Sequence, residues 1–178
     1  QAYSQVVVAY ARRYASKVPM KTHYNLVYVK NIIQPIDKEL SLIEKAIDES
    51  EDPDSFGIID NYEQMAGIGF TVCQTFLTSV HRGKNKAASF KAGPYHSNGK
   101  SYALITNACA NYWKHNDEWE NGSLSNQAKL TIEAVESLGV DIWSSYPLSQ
   151  AVNALCVNGK QNIFTELLDK LNLWAGNL

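Results

Sequence analysis

Apolar positions recur every three or four residues through most of the chain, and each stretch that keeps this rhythm predicts a helix. The first covers Ala2 to Lys17, through Val6, Ala9, Tyr10 and Arg13, with Pro19 just beyond its end. The second runs from His23 to about Glu49 and carries Leu26, Val29, Ile33, Ile36, Leu40, Ile43 and Ile47 at helical spacing. Pro35 lies inside it, where a missing backbone donor and a clash with the preceding turn predict a kink or a split. A solvated turn, Glu49 to Asp54, leads into a third helix over roughly Ser55 to Val80. Gly57, Gly67 and Gly69 either weaken that helix or let a neighbour approach closely.

Residues 81–100 break the rhythm. Arg82 to Lys86 is polar, and Gly93-Pro94 and Asn98-Gly99 are turn signals, so a polar loop is expected, with a small hairpin around Asn98-Gly99 as the alternative. Helices then resume over Ser101 to about Glu120 and over Leu124 to Leu138, the latter capped by Ser123 and stopped by Gly139. A stretch from Pro147 to Cys156 and a last helix from Asn162 to Trp174 complete the series. No repeat or linker divides residues 1–178, so the expectation is one all-α domain, a helical bundle with elaborations.

Composition agrees with one soluble globular unit: 178 residues, 45% hydrophobic and 19% charged, which excludes a collagen-like or broadly disordered chain. The longest apolar stretch, Met65 to Val80, holds Thr71, Gln74, Thr75 and Thr78 and is shorter than the roughly 20 apolar residues a spanning helix needs. Val6 to Val8 is too short for a secretory leader. Three well-separated cysteines, Cys73, Cys109 and Cys156, do not form a disulfide framework, and a reducing cytoplasm is expected.

The net charge of −2 hides an uneven distribution. Residues 1–36 and 67–116 contain no carboxylate, whereas 37–66 and 117–178 are strongly acidic. Either these blocks neutralise one another across the bundle, or the basic ones border an anion-facing cleft through Arg12, Arg13, Lys84, Lys86, Lys91 and Lys114.

Gly93 to Ser101 resembles a phosphate-binding loop only superficially. Five residues rather than four separate Gly93 from Gly99, and Pro94 removes a backbone donor, so a turn before a helix explains it. A denser constellation follows. Asn107, Asn111 and His115 are each four residues apart and Glu118 comes three later, which puts all four on one stripe of one helix. Such a stripe can orient an imidazole for acid–base work on a phosphodiester. Tyr112, Trp113 and Trp119 flank it and either stack on a base or fill the core. The alternative is a plain surface helix on which Lys114 pairs with Asp117 or Glu118.

The run Asn111-Tyr112-Trp113-Lys114-His115 resembles the signature of HEPN domains, small helical bundles of bacterial toxin–antitoxin and antiphage systems. The resemblance covers about ten residues. It implies a homodimer whose paired motifs form a metal-independent ribonuclease centre, with Asn111 and His115 at the motif's Asn and His positions. The family's Arg has no counterpart, because Ala108, Cys109 and Ala110 stand where it would fall. A guanidinium on the scissile phosphate supplies transition-state stabilisation that Lys114, as a point charge on a neighbouring face, is the first candidate to replace.

His115, Asp117 and Glu118 do not converge from one helix, His23, His81 and His96 are scattered, and no Cys pair has zinc spacing, so no metal or other cofactor is expected. Two functions remain. One is an RNA-directed module, either an endoribonuclease or an inactive RNA binder, with His115 and Asn111 catalytic, Asn107 and Glu118 in support, and the cations named above on the RNA. The other is a non-catalytic protein-interaction or regulatory domain that docks a cognate partner.

Overall fold

A computed structural model describes residues 20–81, 85–119, 124–156 and 162–178. The helix expected over Ala2 to Lys17, together with Arg12, Arg13, Lys84 and Ser123, lies outside them. Among the described residues seven helices follow one another: α1 Met20–Glu49, α2 Ile58–Val80, the single turn α3 Lys86–Ser89, α4 Tyr102–His115, α5 Asn126–Glu136, α6 Pro147–Leu155 and α7 Ile163–Gly176. A 3-10 turn, Asn116–Glu118, extends α4. No strand occurs among them, and the chain is an all-α bundle.

The middle of the bundle is α2, which packs against α1, α4, α6 and α7. Its sequence suits that position because it buries Ala66, Gly67, Gly69, Phe70, Cys73, Phe76 and Leu77. Two of its glycines are where neighbours come closest. A Cβ on Gly67 would lie 2.2 Å from the Trp113 indole, and one on Gly69 would lie 2.3 Å from the Phe164 ring. Both glycines therefore serve close approach.

Pro35 does not split α1, which continues as one helix from Met20 to Glu49. The proline ring is exposed, while Val29, Ile33, Ile36 and Leu40 bury the opposite face. Burying those side chains, at about 1.5–3 kcal/mol each, outweighs the one backbone hydrogen bond that proline removes on the wet side.

Helices α6 and α7 lack a side-chain cap of their own. Acids from the first half of the chain supply it. The buried Glu63 carboxylate on α2 accepts from the Leu148 and Ser149 amides at 2.8 and 2.7 Å and from the Ser149 hydroxyl at 2.6 Å. Asp37 on α1 does the same for α7, accepting from the Phe164 and Thr165 amides, both at 2.9 Å, and from the Thr165 hydroxyl at 2.7 Å. Three donors at a positive helix end satisfy each buried carboxylate.

Residues 85–101 are tied down rather than free. Asn85 caps α3, the Ser89 carbonyl accepts from the Trp174 indole at 2.8 Å, and the Asn98 amide donates to the Ser137 carbonyl at 3.0 Å. The alternative hairpin reduces to one isolated bridge, Tyr95 with Ser101, closed by a turn in which the His96 amide donates to the Lys100 carbonyl. Ser101 caps α4 instead of joining it, and Ser125 caps α5.

Candidate functional site

Three elements enclose a cleft of about 740 Å³: the turn at α3, the outward face of α4, and α5. Its floor is apolar, with Phe90, Leu104, Ala108, Ala128 and Ala134 on it. Its exposed rim carries Lys86, Lys91, His115 and Glu118, with the half-buried Trp119 beside them. Asn107 and Asn111 line it from α4. Thus the stripe Asn107, Asn111, His115 and Glu118 and two of the six cations named in the sequence, Lys86 and Lys91, line one cavity.

The amide stripe is braced from α2. The Gln74 Nε2 group donates to Asn107 Oδ1 at 3.1 Å and to Asn111 Oδ1 at 2.9 Å, and Gln74 Oε1 accepts from Lys114 Nζ at 2.7 Å. Lys114 accordingly points to Gln74 behind the wall instead of lining the cleft, and it does not pair with Asp117 or Glu118. Partial burial lowers its affinity for the proton, and the Lys86 ammonium adds to that effect. Among the described residues, Lys86, Lys91 and Lys114 form no ion pair.

His115 Nδ1 lies 3.0 Å from Glu118 Oε1. A carboxylate only accepts, so Nδ1 carries the proton, and in the neutral form of the ring the lone pair a base needs sits on Nε2. Across the cleft Lys100 donates to Glu133 at 2.8 Å, and that hydrogen bond holds the Glu133 carboxyl below its ordinary value. This pair sets a lysine of one basic block against a carboxylate of an acidic one. Lys86 and Lys91 line the cleft and form no ion pair among the described residues. Of the aromatics, Tyr112 is buried, Trp113 packs on Gly67, and Trp119 alone reaches the cleft, with its ring edge-on to Tyr112.

Arg12, Arg13 and Lys84 lie outside the described residues. Gln74 was overlooked in the sequence, where it stands only as a polar interruption of the apolar stretch Met65 to Val80. Its one signal is that it is the only amide in that stretch. Among the described residues no group of three His, Cys, Asp or Glu is placed to hold a metal ion, and no helix is long and apolar enough to cross a membrane. No family model matches the chain, and no curated protein or solved structure matches it either.

Proposed function

We propose that this domain is an RNA-directed module that binds single-stranded RNA in the cleft between α3, α4 and α5. The observation that carries the reading is the pairing of an apolar floor with Lys86 and Lys91 at the rim, which form no ion pair among the described residues. An unstacked base fits the floor and Trp119, and the backbone phosphates fit Lys86 and Lys91. The volume is in the range that encloses a nucleotide-sized ligand.

A second observation, the His115–Glu118 contact, favours cleavage as well as binding. With Nδ1 held by the carboxylate, His115 Nε2 is placed to take the proton of a 2′-hydroxyl as it attacks the adjacent phosphate. Lys86 and Lys91 supply the positive charge that the absent Arg would have given. No metal enters this chemistry. A homodimer in the cytoplasm, with a second copy completing the site, belongs to the same reading through the HEPN resemblance, as does a cognate protein partner.

The test is a labelled single-stranded RNA incubated in EDTA with wild type and with His115→Ala. Binding by both proteins, with cleavage by wild type only, supports the module and its nuclease activity. Binding without cleavage by either leaves an inactive RNA binder. No binding at low salt rejects the reading and leaves the apolar floor as a docking surface for a protein.

A further inference from the structure

The hydrogen-bonding direction of the cleft's polar wall is set from behind it. The Lys114 ammonium has donors and no acceptor, so the Gln74 group 2.7 Å away must be the carboxamide oxygen. The amino end of Gln74 is thereby turned toward Asn107 and Asn111. An amino group only donates, so both asparagines must offer it their Oδ1 atoms. What each has left for the cleft is its Nδ2 group, a pure donor. Asn107 is 7% exposed, and among the described residues neither Nδ2 donates to another protein group. One ammonium thus fixes the sense of three amides, and two Nδ2 donors with no protein partner among the described residues belong to side chains that line the cavity.

We propose that this wall is a receptor for a phosphate oxyanion, held by the Nδ2 groups of Asn107 and Asn111 with Lys86 and Lys91 at the rim, and that Gln74 is the positioning residue that makes it selective for acceptors. The inference rests on the RNA reading of the same cleft and narrows it. The phosphodiester, rather than a base edge, faces α4, because a Watson–Crick edge mixes donors with acceptors and the acceptor-only N7/O6 edge of guanine is uncharged, whereas a phosphate oxygen only accepts and carries the charge that Lys86 and Lys91 match. The shared chemistry has two sources, the phosphodiester of an RNA strand and a free phosphate.

Gln74→Glu is the discriminating variant. It keeps the contact with Lys114 but has no donor for the asparagines, which must rotate and turn their Oδ1 atoms into the cleft. Gln74→Met releases them without reversing them. Inorganic phosphate is titrated into each protein while the side-chain NH₂ resonances of Asn107 and Asn111 are followed by NMR, and a labelled single-stranded oligoribonucleotide is titrated in parallel. In wild type, phosphate is expected to shift both pairs of NH₂ resonances. Gln74→Glu is expected to lose about tenfold or more in affinity for both ligands, the scale of hydrogen bonds to a charged group. Gln74→Met is expected to lose less, with its thermal midpoint reported alongside.

Wild-type NH₂ resonances that ignore phosphate overturn the inference whatever the variants do, and so does a folded Gln74→Glu that binds phosphate as wild type does. If the oligoribonucleotide binds while those resonances stay still, the inference fails and the RNA reading stands. If phosphate shifts them and the oligoribonucleotide does not bind, the RNA reading fails and a free-phosphate site stands.

Discussion

Asp37 and Glu63 are each held by three donors at the start of a helix that has no cap of its own. Burial raises both carboxyls above their ordinary values, while the Thr165 or Ser149 hydroxyl and the two backbone amides pull the other way. A carboxyl whose pKa is higher folded than unfolded contributes fully below the unfolded value and loses that contribution as pH rises through the folded one. The urea-unfolding stability of wild type minus that of Glu63→Gln is therefore expected to fall as pH rises from about 4.3. A difference that grows with pH contradicts this assignment. Glu63→Ala, which strands the Leu148 and Ser149 amides, is expected to cost about 2–4 kcal/mol in the same experiment. Burial also pushes the Cys73 and Cys109 thiols up, so native protein should leave both unlabelled by a thiol reagent until it unfolds. The polar stripe was legible at this scale because Asn107, Asn111, His115 and Glu118 belong to one stretch of chain and helical spacing alone aligns them. Gln74 and the two capping acids were not legible. Their partners lie 33, 37 and 40 residues away for Gln74, and 85 to 128 away for the acids. No local pattern records a contact that only the packing of helices creates.

Among the elements, α2 shows what its glycines do. Replacing Gly67 by Ala gains about 1 kcal/mol of helix propensity. It also drives a methyl into the Trp113 indole, an overpacking that costs about 1–3 kcal/mol. Trp113 packs between helices, so the cost should win. Gly67→Ala is expected to lower the thermal midpoint and to change tryptophan fluorescence, and a stabilised protein with unchanged emission would mean the indole moves aside freely. Helices α2, α4, α5, α6 and α7 were legible from apolar spacing, and so was the Gly139 stop, at φ 78°, whereas the single turn α3 and the place of Ser101 as a cap were not. Pro35 was read too strongly, because proline on a wet face removes one hydrogen bond and leaves the buried face intact. The anchoring of the loop before α4 was not legible, since it comes from Ser137 at the end of α5 and Trp174 in α7.

Across the whole molecule, the alternation of basic and acidic blocks acts in two ways. Lys100 with Glu133 joins a basic block to an acidic one, and Lys86 with Lys91 leaves positive charge at a cavity. That division was invisible in a net charge of −2 and only half visible in the blocks, because which lysines find carboxylates depends on how the helices assemble. On the proposed function these two lysines hold RNA phosphates in the cleft. The most direct measurement is the affinity of a labelled single-stranded RNA as a function of salt, for wild type and for a Lys86→Ala, Lys91→Ala double variant. Wild type is expected to show log affinity falling linearly with log salt, and the variant to lose about 0.7 from that slope for each phosphate contact removed. Equal slopes in the two proteins would contradict the claim and place any RNA contact elsewhere on the molecule.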